Sequence, residues 1–163
     1  MQRMFFTQAM QEGLREEMAR DSSVVVIGED VELGVYGYTS GLLQEFGPQR
    51  VRNTPIAELT TTGMTLGAAI SGLRPVADFM MGNFLYTGMD QFANQVAKLR
   101  YMTGGQFDVP AVFVSTYGAG NRVAAQHSDT PYPVFMNLAG IKIVVPSTPA
   151  EAKGLFKAAI RDD

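Results

Sequence analysis

Three short stretches carry side chains able to move protons, and two of them directly follow a run of β-branched or apolar residues. The first is Gly28-Glu29-Asp30, after Val24-Val25-Val26-Ile27. Two adjacent carboxylates there can relay a proton or hold a cation; the plainer alternative is an acidic turn in solvent, because acidic side chains are rarely buried. The second is Pro55-Ile56-Ala57-Glu58-Leu59, leading into Thr60-Thr61-Thr62-Gly63. Apolar neighbours can desolvate Glu58 and raise its pKa until it holds or passes a proton near neutrality. Its plainer use is to complement the positive end of a helix dipole. The third is Gly118-Ala119-Gly120-Asn121-Arg122, followed by Gln126-His127-Ser128-Asp129. His127 is the only histidine of the chain. An unperturbed imidazole titrates near neutrality, so on a polar loop it is a natural proton donor or acceptor, with a passive surface position as the alternative.

Other chemistries fit these residues poorly. Gly118-Ala119-Gly120 lacks the GxGxxG spacing and the Walker lysine of phosphate-binding loops. Ser128, His127 and Asp129 are neighbours in one loop and cannot easily converge as a triad, and no nucleophile elbow is present. One histidine, no cysteine and no carboxylate cluster leave little for a metal held by side chains. The absence of cysteine also excludes disulfides and thiol nucleophiles and fits a reducing compartment. Thirteen basic residues, scattered through a chain of formal net charge −3, argue against nucleic acid and anionic membranes as partners. No charged-then-apolar leader and no bilayer-length apolar stretch is visible, so a cytoplasmic location is expected.

The 163 residues suit one domain with its own core. Met10, Leu14 and Met18 after Thr7, as N-cap, predict a helix over 7–20. β-rich runs predict strands at 24–27, 74–80, 110–116 and 141–146. Between them, helices are expected near 60–72, over 86–103 closed by Gly104-Gly105, and over 148–161. The last is the best marked. Thr148 caps it, Pro149 occupies its first turn, Glu151 completes a capping box, and Ala152, Leu155, Phe156, Ala159 and Ile160 form its apolar stripe. Gly63, Gly67, Ala68 and Ala69 give the 60–72 helix a small-residue face suited to close packing. The alternation predicts an α/β fold: a three-layer, doubly wound, mostly parallel sheet with helices on both faces. Ligands of such sheets sit beyond the carboxyl ends of the strands.

The segments GLREEMARD, VVVIGEDV, RVRNTPIAE, GAAISGLRPVADFM, NQVAKLRYMTGGQ, VAAQHS and PSTPAEAKGLFKAAIRDD occur in this order over nearly the whole chain. In combination they resemble the pyrimidine-binding domain of the β subunits of thiamine-diphosphate-dependent 2-oxoacid dehydrogenases. These are the E1 components of pyruvate, branched-chain and acetoin dehydrogenase complexes, within the transketolase-like superfamily. GAGNRVAAQHS with YPVF and PSTP looks closer to the acetoin type. The resemblance implies a thiamine-diphosphate-binding fold over 1–163 and a role for particular residues. Glu58 matches the glutamate that hydrogen-bonds N1′ of the aminopyrimidine, favouring the imino tautomer whose exocyclic nitrogen takes the proton from thiazolium C2. Phe84 matches the aromatic stacked on the pyrimidine and Met80 a bulky apolar residue lining the cofactor. Glu29 matches an acid of a proton relay between paired active sites. His127 matches the histidine near the thiazolium that serves proton transfer and reductive acylation of a lipoyl group. Thr87 stands at an implied pyrimidine-contacting position, where pyruvate-type subunits often carry glutamine. A potassium site built from backbone carbonyls is implied near Ala111, Ala159 and Asp162, with its last ligand just past Asp163.

The family's GDG motif, which binds the diphosphate through Mg²⁺, does not occur in this chain. In the family it lies on the α subunit. The implied partners are therefore an E1 α subunit, a second β subunit and the lipoyl-bearing acyltransferase, E2. The family's second, C-terminal α/β domain is not part of the 163 residues. A split transketolase-like subunit and a non-catalytic partner-binding α/β domain are the competing expectations.

Overall fold

Alternation along four short strands sets the architecture. The computed structural model describes residues 4–163. In it β1 (Val24–Gly28), β2 (Val51–Asn53), β3 (Arg74–Met81) and β4 (Val112–Thr116) form one parallel sheet in the order β2-β1-β3-β4. Val76 pairs with Val26 on one side and Val112 on the other, and Ala77 likewise with Ile27 and Phe113. Because side chains alternate, Val24, Val26, Val76, Val112 and Val114 join one core. Ile27, Ala77, Phe79 and Phe113 join a second core. β1 is buried along its whole length, as a strand covered on both faces must be.

Six α-helices complete the layers: α1 (Phe6–Arg20), α2 (Leu42–Phe46), α3 (Glu58–Ile70), α4 (Leu99–Met102), α5 (Tyr132–Phe135) and α6 (Pro149–Arg161). α1 and α6 pack on each other over the first face, with Leu14, Met18, Phe156 and Ile160 filling that core. α3 and a π-helical segment, Gln91–Val96, lie against the second. The wide π turn, marked by Ala97 N–H donating to Phe92 O at 3.0 Å, carries Phe92 into an aromatic cluster. Its ring centroid lies 4.7 Å from Phe113, 5.3 Å from Phe135 and 5.8 Å from Phe79.

The capping box of α6 forms as its sequence implies: Glu151 N–H donates to Thr148 Oγ1 at 3.2 Å, and Glu151 Oε2 accepts from Thr148 N–H at 3.1 Å. Three expectations change. Thr7 is not the N-cap of α1; the helix starts at Phe6, and Gln8 Oε1 accepts from Phe5 N–H at 3.0 Å. The stretch 86–103 is not one helix. A 3₁₀ segment Gly82–Gly88, the π segment and α4 succeed one another, because Gly88 sits where a Cβ would fall 2.7 Å from Thr62 Oγ1 and the path must bend around α3. Residues 141–146 form no strand. Ile141 and Ile143 pack into the second core, but Lys142, Val144 and Val145 remain exposed, without the two-sided cover a parallel strand needs. Among the described residues no helix is long and apolar enough to cross a membrane.

Candidate active site

From β1 the chain moves outward to β2 on one side and then to β3 on the other. The connections leaving the carboxyl ends of β1 and β3 therefore run in opposite directions, which makes this a topological switch point, the place where open α/β sheets bind ligands. A shallow cleft, open to solvent, lies there. Glu29 enters it from the end of β1, Thr54 to Ala57 from the turn after β2, Glu58 and Thr61 from the first turn of α3, and Asp78 to Met80 from β3, with Phe84 from the 3₁₀ segment.

Local bonding explains each placement. Ala57 O accepts from Thr61 N–H at 2.8 Å and Thr62 Oγ1 donates to Glu58 O at 2.8 Å, so the start of α3 is tied down around Glu58. Glu58 is half-buried and is the first residue of the helix. It lines the cleft and stands where a carboxylate complements the helix dipole. Glu29 is also half-buried. Burial pushes its carboxyl above the usual glutamate range, and the charges of Asp30 and Glu58 push it further.

That shift has a testable sign. A carboxyl raised in the folded state holds extra protons there, so its favourable contribution is complete below the ordinary glutamate pKa and is lost as pH rises through the folded value. Glu29→Gln is expected to raise the urea midpoint relative to the native chain at about pH 8 and to leave it nearly equal at about pH 4. Equal offsets at both pH values would mean that Glu29 is not desolvated as described.

His127 approaches the cleft through Phe84. Their rings meet edge-to-face with centroids 5.3 Å apart, and His127 is partly buried at the end of a 3₁₀ turn, Ala125–His127. Its loop is anchored to the segment that carries Phe84: Asn83 Nδ2 donates to Asp129 Oδ2 at 2.8 Å, and Asp129 N–H donates to Asn83 Oδ1 at 3.2 Å. Ser128 Oγ instead donates to Ala124 O at 2.7 Å, so Ser128, His127 and Asp129 have divergent partners and form no triad.

The sequence-derived residues thus fall into two groups. Glu29, Glu58, Met80 and Phe84 line one cleft, with His127 against its aromatic wall. Thr87 lies outside the lining; it is exposed and its hydroxyl donates to Phe84 O at 2.8 Å, which steadies the turn carrying the ring. Ala111 precedes β4, while Ala159 and Asp162 lie at the far end of α6, where the Asp162 carbonyl accepts from Arg74 Nη1 at 3.0 Å. Among the described residues no group of three or more His, Asp or Glu side chains is arranged to hold a metal ion.

Asp78 was not anticipated. It is 6% exposed within β3, burial pushes its carboxyl up, and Tyr38, 3% exposed, lies close enough for each to act on the other's ionisation. A lone acid within the apolar run Arg74–Met81 was the available signal.

Residues 2–163 match the family model described as "Transketolase, pyrimidine binding domain". The chain is 46% identical over 158 residues to the pyruvate dehydrogenase E1 component subunit beta of Rickettsia conorii, covering 96% of this chain and 48% of that protein. It is also 46% identical over 169 residues to the acetoin:2,6-dichlorophenolindophenol oxidoreductase subunit beta of Bacillus subtilis, covering 95% and 49%. To the 2-oxoisovalerate dehydrogenase subunit beta of the same organism it is 42% identical, covering 98% and 50%. The chain spans about half the length of these relatives. A solved structure described as "Split gene transketolase, inactive beta4 tetramer" superposes with a TM-score of 0.75 at 20% identity, over 96% of this chain and 47% of that one.

Proposed function

Because the chain belongs to the transketolase pyrimidine-binding domain family, we propose that its cleft holds the aminopyrimidine ring of thiamine diphosphate as the β-subunit half of a 2-oxoacid or acetoin dehydrogenase E1 active site. The observation that carries this reading is the convergence of Glu58, Phe84, Met80 and Glu29 on one cleft at the sheet's switch point. The donor set fits the group: a carboxyl for a weakly basic ring nitrogen, an aromatic ring for a flat heterocycle, and an apolar side chain beneath it. When bound, the cofactor supplies an electron sink for breaking the bond beside a carbonyl.

The chain's own residues orient and protonate. Glu58 shares a proton with the ring nitrogen at its carboxyl. Phe84 and Met80 fix the plane of the ring and keep water from its faces. Glu29, with its raised affinity for a proton, serves as the next acid in a relay behind Glu58. His127, held against Phe84 by the Asn83–Asp129 pairing, handles a proton on the substrate side and acyl transfer to a lipoyl group. The diphosphate and Mg²⁺ fall to a partner α subunit, a second copy of this chain completes the relay, and a lipoyl-bearing acyltransferase receives the acyl group. The domain extends over 1–163, and the K⁺ carbonyls near Ala111, Ala159 and Asp162 belong to its outer end.

Calorimetric titration with thiamine diphosphate and Mg²⁺ tests this reading. The chain paired with its α subunit is expected to bind at least about tenfold more tightly than the chain alone, since contacts on both halves add to one molecule's affinity without a second loss of translational freedom. Failure of the pair to bind would remove the proposal.

A further inference from the structure

Met80 holds a backbone conformation that side chains with a Cβ rarely adopt, with φ at 55°. Non-glycine residues in this region cost free energy and persist only where their surroundings over-determine them. Here both peptide groups of Met80 are held. Its N–H donates to Asp78 Oδ1 at 2.8 Å, and its carbonyl accepts from Thr116 Oγ1 at 2.7 Å. The β3–β4 ladder shifts register between Asp78 and Met81: Asp78 pairs with Val114 and Met81 with Thr116, which leaves Phe79 and Met80 opposite the single residue Ser115. Such bulges re-aim a side chain at the end of a strand. Beside the bulge, Met81 is buried, and Gly82 is so close to Pro131 that a Cβ would fall 2.6 Å from its Cγ, which leaves the chain no room to relax beyond it.

We infer that Asp78 and Thr116 are positioning residues that clamp Met80 in its left-handed bulge and so set the floor of the cleft; the inference rests on the reading of that cleft as a pyrimidine site. Neither residue need touch the ring. Asp78 acts from within β3 and Thr116 from the end of β4, one on each side of the Met80 residue. Oδ1 needs no charge to accept the Met80 N–H, which suits an acid whose burial favours its neutral form.

The variants follow from that chemistry. Thr116→Val keeps the shape and removes the donor; Thr116→Ser keeps the donor. Asp78→Asn keeps an Oδ1 acceptor; Asp78→Ala removes it. In the complex with the α subunit, Thr116→Val and Asp78→Ala are expected to weaken thiamine diphosphate binding by about fivefold to tenfold, as the loss of one buried hydrogen bond would. Thr116→Ser and Asp78→Asn should stay within about twofold of the native affinity. Glycine has no Cβ penalty at positive φ, so in a Met80→Gly background, where the residue-80 carbonyl still loses its donor but no strained conformation has to be held, the losses of affinity and melting temperature on Thr116→Val should fall to about half or less of those in the native chain.

Native affinity in Thr116→Val, or the same loss in the Met80→Gly background, would overturn the clamp. If the native complex failed to bind thiamine diphosphate, the pyrimidine reading would fall. The melting-temperature cycle between Thr116→Val and Met80→Gly would still decide the clamp, because it needs no cofactor.

Discussion

In the E1 assembly proposed above, replacing Glu58 by glutamine is expected to lower turnover by about a hundredfold or more, the scale of losing a general acid–base. Glutamine preserves the length, the planar end group and a hydrogen-bonding oxygen. It cannot exchange a proton with a ring nitrogen. The fold should survive, because Glu58 is half-buried and its backbone carbonyl, not its side chain, carries the bond to Thr62 Oγ1. Loss of its charge at the start of α3 forfeits a dipole interaction of about 0.3–1 kcal/mol. Steady-state kinetics beside a thermal melt separates these effects: a large fall in kcat with a melting temperature within a few degrees of native supports the role. Near-native turnover would show that Glu58 is only a helix-dipole partner.

The second large effect concerns the fold. Glu17 has no solvent exposure, yet it is charged. Arg161 grips it with two bonds, Nη2 to Oε1 at 2.6 Å and Nε to Oε2 at 2.9 Å, and Arg20 Nε reaches Oε2 at 2.8 Å. Hydrogen bonding to Arg161 outweighs the penalty of burial, and with the help of Arg20 lowers the carboxyl pKa to about 2. Glu17→Ala is expected to cost about 2–3 kcal/mol, below the roughly 3–5 kcal/mol usual for breaking a buried ion pair, because both arginines are half-exposed and rehydrate. The sign in pH follows. A carboxyl lowered in the folded state contributes fully above its ordinary pKa and loses that contribution as pH falls towards the folded value. Urea unfolding should therefore show the gap between native and Glu17→Ala chains closing from about pH 4.5 down to about pH 2. A gap independent of pH over that interval would place the effect in packing and not in charge.

What the sequence reveals depends on the range of the interaction concerned. β1 is legible because a run of five buried residues states its own environment, and α6 because Thr148, Pro149 and Glu151 cap it within four positions. The cleft residues Glu29, Glu58, Met80 and Phe84 are legible together only through their resemblance to a known family; singly, each had an ordinary alternative. The bulge at Met80 was not legible. It depends on Thr116, thirty-six residues away, and no local pattern announces a partner at that distance. Residues 141–146 have a strand's composition, but pairing and cover are properties of neighbours and not of the run itself. The single acid in Arg74–Met81 is the one unexpected element the sequence did mark, as a polar residue where the period demanded an apolar one.

The packing of α1 on α6 has a consequence for how the chain is made. Glu12 and Glu16 of the first helix meet Lys153, with Lys157 also on Glu16, and Glu17 meets Arg161, across separations of up to 144 residues. While the chain grows from its amino end, β1 can pair with β2 and then β3, but Leu14 and Met18 of α1 and Val24 and Val26 of that sheet lack the cover of Phe156 and Ile160 until α6 emerges. Closing so long a loop is slow, and an uncovered apolar sheet face invites association with other chains. The acids Glu12 and Glu16 on α1 give the waiting surface a charge that complements Lys153 and Lys157 of α6.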